Sequence, residues 1–297
     1  MEILFDQCNV AYAGSNLLGE GPVWDDHSGC LYWVDIEDCH LFEMKWPSKT
    51  VRRWKLPQLV GMVALQKEHN LIVALQEGLA AFDVQTAELH WLADIEKDLV
   101  YNRANDGKCD AKGRLWLGTM NFNCTDPTGS LYMINEKLAV RKKLDELTIS
   151  NGMAWPADHK HMYFIDSATY KVDAFHFDLE TGKIEFEKTA IRIPVNLGMP
   201  DGMTIDNEGM LWIAHWNGFA VRRWDPATGD LLASLPVPAP QVTSITFGGE
   251  NLDEAFITTA KTGLTTEQLA QYPLSGHLFT CRLPYKGMAA DRFKPGT

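Results

Sequence analysis

A short apolar run recurs six times along this chain at a nearly constant spacing. The runs occupy residues 31–34, 71–74, 115–118, 162–165, 211–214 and 255–258. Their starts are about 40, 44, 47, 49 and 44 residues apart, a period typical of the blades of a β-propeller. Each run is short, contains aromatic or β-branched residues and is bounded by turn residues, which indicates a buried strand rather than a helix.

Further strand candidates follow most of these runs, and two of the joints between them repeat. The segments 178–183 and 225–230 each carry a Thr-Gly pair, a common hairpin signal. The sixth unit lacks a clear outer strand, and residues 3–13 supply one. We therefore predict an all-β chain in which residues 1–297 form a single six-bladed β-propeller domain closed by the N-terminal strand.

Composition excludes several classes of function. The net charge of -12 and a pI near 5.2 argue against a nucleic-acid partner, because phosphate binding needs clustered Lys and Arg. The N-terminus lacks a basic segment followed by an apolar one, and no apolar run approaches 18 residues, so we expect neither a signal peptide nor a membrane partner. The six cysteines form no CxxC pair, which favours reduced thiols in a cytoplasmic protein, present as a monomer or a small homo-oligomer.

Polar residues recur at one phase of the repeat, about ten positions before the apolar runs. Glu20, Asn151 and Asp201 occupy this position in three units, each followed by glycine. We place them in turns that lead into the innermost strands. Equivalent positions of a propeller are related by rotation about its axis, so these side chains should meet at one end of the central channel. A single Asp or Asn before Gly is more often a turn residue, and only the shared phase favours a site.

A second set of acidic residues recurs about five positions later, beside glycine-rich or charged turns. We interpret these residues as structural hairpin residues that bond to their own backbone. They are Asp25, Asp110, Asp158 and Asp206.

The chemistry of the first set is that of a cation site. Glu20, Asn151 and Asp201 offer only oxygen atoms, which suit one hard divalent cation such as calcium, magnesium or manganese; zinc and iron remain candidates. Such a cation polarises a carbonyl oxygen, and Asp201 or Glu20 can act as the base for an attacking water. Arg103 and Asn105 precede the third unit, with geometries suited to hydroxyl or carboxyl groups. A GxSxG motif is absent from the sequence, so an acyl-enzyme is not expected.

Four segments of the chain resemble the family of regucalcin (senescence marker protein 30) and gluconolactonase-like sugar lactonases, of the bacterial type. They are residues 18–24, 102–107 together with 113–120, 150–155 and 200–203, in the order found in that family. The resemblance implies a six-bladed propeller with one divalent cation held by Glu20, Asn151 and Asp201. It also implies that Asp201 is the general acid and base.

The same resemblance implies that Arg103 and Asn105 bind the substrate. In regucalcin a carboxylate follows the Gly-Thr-Met motif, whereas an amide, Asn123, stands in that region here. The resemblance thus extends substrate binding to Asn123, and the change from acid to amide leaves the preferred sugar open.

The expected activity is hydrolysis of a pentono- or hexonolactone, a small-molecule sugar lactone, to its aldonic acid. Two alternatives remain open. One is a metal-dependent esterase or organophosphate hydrolase that uses the same site, because a fold does not determine a substrate. The other is a calcium-binding regulatory protein without enzymatic activity.

One segment departs from the repeat near the C-terminus. Thr265 and Gln268 fit a capping box, and Pro273 is expected to end the short helix that follows. We expect this insert, residues 265–276, to lie over one face of the ring, either beside the ligand site or as a plain loop.

Overall fold

The computed structural model describes residues 3–4, 8–67 and 69–295. Within this part of the chain the strands form six sheets, arranged as the blades of a propeller around a central channel. The first strands of the blades contact one another in a closed ring, each touching the first strands of both neighbouring blades. The predicted all-β, six-bladed fold is confirmed.

The strands are numbered along the chain, which begins with β1 (Ile3–Leu4) and β2 (Asn9–Tyr12). Blade one contains β3 (Gly19–Asp25), β4 (Cys30–Asp35), β5 (His40–Lys45) and β6 (Thr50–Lys55). Blade two contains β7 (Val60–Leu65), β8 (Asn70–Leu75), β9 (Gly78–Asp83) and β10 (Leu89–Asp94). Blade three contains β11 (Asn102–Cys109), β12 (Leu115–Asn121), β13 (Gly129–Ile134) and β14 (Val140–Leu147).

Blade four contains β15 (Ser150–Ala154), β16 (His161–Asp166), β17 (Lys171–Asp178) and β18 (Lys183–Arg192). Blade five contains β19 (Met199–Ile205), β20 (Leu211–Trp216), β21 (Ala220–Trp224) and β22 (Leu231–Pro236). Blade six contains β23 (Val242–Gly248), β24 (Glu254–Thr259) and β25 (Leu278–Arg282). Short 3-10 turns, Ser167–Thr169 and Val195–Leu197, follow β16 and precede β19.

The N-terminal segment closes the ring as predicted, but its two strands pair with different blades. Strand β2 pairs antiparallel with β25, with Asn9 opposite Thr280, and so becomes the outermost strand of blade six. Strand β1 instead pairs parallel with β22 and adds a fifth strand to blade five. Residues 5–7 of the predicted closing strand lie outside the described residues.

The apolar runs form the second strand of each blade, not the innermost one. The innermost strands β3, β7, β11, β15, β19 and β23 carry the polar residues that recur at one phase. Glu20, Asn151 and Asp201 therefore lie within β3, β15 and β19, and their placement in turns is wrong. The reason is physical: the second strands are buried on both faces and have the strongest apolar signal, whereas the innermost strands line a channel and contain polar residues and glycines.

The core lies between neighbouring blades. Trp116 and Trp212, at equivalent positions of β12 and β20, are fully buried, as is Trp33, one position later in β4. Trp33 packs in one cluster with Phe256 of blade six, which shows how a second strand seals a blade against its neighbour. Burial of such an indole contributes several kcal/mol to folding, at about 25 cal/mol per Å² of apolar surface.

Four aspartates have the structural role in turns that the sequence predicted. Asp25, Asp110, Asp158 and Asp206 each accept a hydrogen bond from the backbone N–H two residues later. These bonds close the turns between the first and second strands of their blades. This second set of acidic residues is therefore explained by turn formation.

The insert near the C-terminus contains the helix α1 (Thr266–Gln271), with the predicted capping box between Thr265 and Gln268. It connects β24 to β25, and its Tyr272 ring packs edge-on against Phe219, with centroids 5.1 Å apart. Because neighbouring strands of a blade are antiparallel, a connection from the second to the third strand lies beside the start of the innermost strand. The insert therefore lies at the end of the ring where the innermost strands begin. Among the described residues, no helix combines the length and apolar character needed to cross a bilayer.

Candidate active site

The site residues lie where the innermost strands depart from regular pairing. The register of β3 with β4 shifts between Glu20 and Val23, and that of β19 with β20 shifts between Pro200 and Met203. Strand β15 has the same irregularity directly after Ser150. A bulge adds a residue to one strand and changes the direction of its side chains. The repeat therefore supplies an irregular segment at the same end of each of these strands, which we call the site end of the ring.

The glycines of these segments allow neighbouring innermost strands to approach closely. A Cβ atom on Gly152 would lie 2.5 Å from the Cβ of Met203, and one on Gly202 would lie 2.5 Å from the Cβ of Ser244. Both distances are below any normal carbon contact. The absence of a side chain is thus required here by packing, which brings the polar residues of adjacent blades together.

Asn151 and Asp201 are in direct contact. The Asn151 Nδ2 group donates to Asp201 Oδ1 at 2.5 Å and to Ser167 Oγ at 3.1 Å. Both side chains are buried, as is that of Glu20, with residue exposures of 3%, 7% and 6% respectively. The amide oxygen of Asn151 is also buried and has no hydrogen-bond partner within the described part of the chain.

Burial is the main influence on the pKa values of the two acids, Glu20 and Asp201. Burial raises the pKa of Glu20 well above its usual range, and the negative charges of Asp201 and Asp106 raise it further. Burial likewise raises the pKa of Asp201, with a further contribution from Asp106. The hydrogen bond from Asn151 opposes the rise in the Asp201 pKa. Two buried acids beside each other are costly to ionise unless a positive charge compensates them.

These residues fit the divalent cation that the resemblance implies. The observation is an unpartnered, buried amide oxygen on Asn151 beside a carboxylate on Asp201 and near a second one on Glu20. Oxygen donors with excess negative charge are what a hard cation prefers. Binding would also stabilise the ionised forms of both acids.

Arg103 and Asn105 join this group from β11. Arg103 Nη1 donates to Asn105 Oδ1 at 2.6 Å and to the Ala104 carbonyl at 3.0 Å. Asn105 Nδ2 in turn donates to the carbonyl of Ser150, next to Asn151, at 2.8 Å. The guanidinium charge lowers the pKa of both Glu20 and Asp201, although burial is the larger influence on each.

Asn123 is placed differently. It lies in the exposed turn after β12, and its backbone N–H donates to Asn121 Oδ1 at 2.9 Å. Its side chain forms no hydrogen bond with another described residue. The turn itself is near the site, because the charge of Arg103 lowers the pKa of Cys124 against the larger effect of burial.

The fold brings three further residues to this region, and two of them, Ser167 and Glu37, were not expected from the sequence. Ser167 accepts a hydrogen bond from Asn151, and Asp106 adds negative charge near Glu20 and Asp201. Glu37 lies in the loop after β4, and its charge raises the pKa of Arg103 against the larger lowering by burial. Asp106 is one position from Asn105 and was visible in the repeat. Ser167 and Glu37 follow second strands, where the phase of the polar repeat gives no signal.

Comparisons with known proteins agree with this architecture. Residues 18–261 match the family described as SMP-30/Gluconolactonase/LRE-like region. The chain is 38% identical over 266 residues to regucalcin of Oryctolagus cuniculus, covering 88% of this chain and 89% of that protein. It is 29% identical to the solved structure of a calcium-binding protein, regucalcin, from Agrobacterium tumefaciens, with a TM-score of 0.94 over 99% of both chains.

A luciferin-regenerating enzyme of known structure is also similar, with 32% identity and a TM-score of 0.88 over 95% of this chain and 96% of that one. The family match covers well over half of the chain and includes Glu20, Asn151 and Asp201. The chain belongs to the SMP-30/gluconolactonase/LRE-like family.

Proposed function

We propose that this protein is a metal-dependent sugar lactonase that hydrolyses a pentono- or hexonolactone to the aldonic acid. The observation that carries the proposal is the buried pair of acids, Glu20 and Asp201, held beside Asn151 at the site end of the ring. Membership of a family whose description includes gluconolactonase supports a lactonase-like function. Glu20, Asn151 and Asp201 would hold one divalent cation.

In the proposed reaction, Asp201 is the general base. Its carboxylate takes a proton from a water molecule as the water oxygen attacks the carbonyl carbon of the lactone. The ring C–O bond then breaks, and the alkoxide that leaves takes the proton back from Asp201, giving a hydroxy acid. The bound cation supplies polarisation of the carbonyl oxygen.

Arg103 and Asn105 are proposed to orient the sugar. The guanidinium group of Arg103 can donate several hydrogen bonds in one plane, which suits ring hydroxyl groups and the carboxylate of the product. The contact between Arg103 and Asn105, together with the bond from Asn105 to Ser150, limits the rotation of both side chains before substrate arrives. Such preorganisation lowers the cost of binding the substrate in a reactive position.

Asn123 is proposed as an additional substrate contact from the exposed turn after β12. Its amide can donate to and accept from sugar hydroxyls, but it carries no charge. Glu37 supplies a carboxylate near Arg103 from a different loop, the one that follows β4 in blade one. Sugar preference is therefore proposed to depend on both loops.

A substrate panel tests this function against its alternatives. We expect kcat/KM for at least one pentono- or hexonolactone to exceed that for aryl esters and phosphotriesters by about 100-fold or more, because only the sugar hydroxyls engage Arg103 and Asn105. The measurement is initial-rate kinetics with a divalent cation present. Faster hydrolysis of aryl esters or phosphotriesters would identify an esterase or organophosphate hydrolase, and no turnover of any substrate would favour a calcium-binding regulatory protein.

A further inference from the structure

Blade four carries a second group of ligand-type side chains, away from the site end. His161 begins β16, His176 lies directly opposite it on β17, and Glu187 comes from β18. Ala174 pairs with Lys188 and Phe175 with Phe186, so Glu187 is an extra residue in the outermost strand. This bulge lets the carboxylate turn toward the two imidazoles.

The three side chains converge on a small space. His161 Nε2 lies 3.3 Å from Glu187 Oε2, and His176 Nδ1 lies 3.9 Å from the same oxygen. All three potential ligand atoms lie within 4.8 Å of one another. In a tetrahedral zinc site with bonds of 2.0–2.1 Å, neighbouring ligand atoms are about 3.3 Å apart. The observed separations need only small side-chain adjustments to match that value.

An ordinary ion pair explains this arrangement less well. One carboxylate oxygen faces two imidazole nitrogens, whereas an ion pair needs only one. The chain provides a comparison in His90 and Glu88, a His–Glu pair with 3.7 Å between Nε2 and Oε2 but with no third ligand atom within 4.8 Å of both among the described residues. Blade four differs by adding a third ligand on the same face.

We propose that His161, His176 and Glu187 bind one divalent transition-metal ion of the zinc class. Two imidazoles with one carboxylate favour zinc, nickel or copper over calcium and magnesium, which prefer oxygen ligands. The side chains of His161 and Glu187 are about one-third exposed and that of His176 is 61% exposed, so solvent can complete the coordination. The ion joins the three outer strands of the blade and stabilises the folded chain by mass action.

This cluster is separate from the proposed active site. His161 is the first residue of β16, whereas Asp166, its last residue, pairs with Ser150 beside Asn151. Five residues of extended strand correspond to about 17 Å. The inference therefore does not depend on lactonase activity, and its test measures metal binding.

The test is a zinc titration of the full chain by isothermal calorimetry, with His176→Ala and Glu187→Gln as variants. We expect His176→Ala to lose one zinc equivalent relative to the wild type. We expect Glu187→Gln to weaken zinc binding at this site by at least about 10-fold, because loss of even an outer-shell partner costs 10–100-fold in affinity. Calcium binding should be the same in all three proteins.

His90→Ala is the matched control, since it removes an exposed imidazole from a His–Glu pair that has no third ligand in the described part of the chain. It should retain the wild-type zinc stoichiometry and affinity. Thermal unfolding gives a second readout: zinc should raise the Tm of the wild type and of His90→Ala more than that of His176→Ala. Equal zinc stoichiometry and equal Tm shifts in His176→Ala and the wild type would overturn the proposal.

Discussion

Replacement of Asp201 by asparagine is expected to reduce kcat/KM for lactone hydrolysis by at least about 10³-fold. A neutral amide cannot take a proton from water, and general base catalysis alone contributes about 10²–10⁴-fold. The substitution also removes one of two negative charges from the proposed cation site. Initial rates at saturating cation, with the best lactone from the substrate panel, give the measurement.

The fold should survive this change. Asparagine has the shape of aspartate, and its amide oxygen can still accept the hydrogen bond from Asn151 Nδ2. Circular dichroism and Tm should therefore remain close to those of the wild type. Asp158→Asn, in an exposed turn where the side chain accepts a hydrogen bond from the backbone N–H of Lys160, is the control and should keep full activity. Wild-type rates in Asp201→Asn would contradict the role assigned to this residue.

Replacement of Asp206 by alanine is expected to have the largest effect on stability, about 3 kcal/mol or more. Its buried carboxylate accepts hydrogen bonds from Trp212 Nε1 at 2.9 Å and Arg223 Nε at 2.7 Å, as well as from the backbone N–H groups of Glu208 and Met210. Without Asp206, the buried Arg223 guanidinium keeps the more exposed carboxylate of Glu208 as an acidic partner, and loss of one partner of a buried ion pair costs about 3–5 kcal/mol. Urea unfolding provides the free energy of unfolding for comparison with the wild type.

An aspartate that also bonds to a nearby backbone N–H, but has an exposed side chain, provides the control. Asp178, the exposed last residue of β17, accepts a hydrogen bond from the backbone N–H of Thr181 in the turn that leads to β18. Asp178→Ala should lower the midpoint of urea unfolding only slightly. If Asp206→Ala changed that midpoint no more than Asp178→Ala does, the buried hydrogen-bond network around Arg223 would not be a major contributor to the stability of the fold.

The number of blades could be predicted from the sequence because a propeller repeats one strong signal. Each second strand, such as β4 or β20, is buried on both faces and therefore reads as an uninterrupted apolar run. The innermost strands were harder to recognise. In β19 a proline, a glycine and a bulge interrupt the alternation of side chains, so a real strand resembles a turn.

The convergence of Glu20, Asn151 and Asp201 followed from rotational equivalence, which requires no knowledge of loop conformation. Glu37 was not predicted because it depends on the path of the loop after β4 toward Arg103. The cluster around Glu187 could not be predicted either, since it requires a bulge in β18 that changes the pairing by one residue. A one-residue shift of this kind decides which face a side chain occupies.

The most direct test of the central proposal is lactonase activity of the metal-stripped protein, with each divalent cation added back in turn. We predict that removal of metal abolishes turnover of pentono- and hexonolactones, and that at least one of calcium, magnesium, manganese, zinc and iron restores it. Restoration should also occur in His176→Ala, because its substitution lies outside the proposed active site. Full activity without any divalent cation, or no lactone turnover with any of them, would contradict the proposed function.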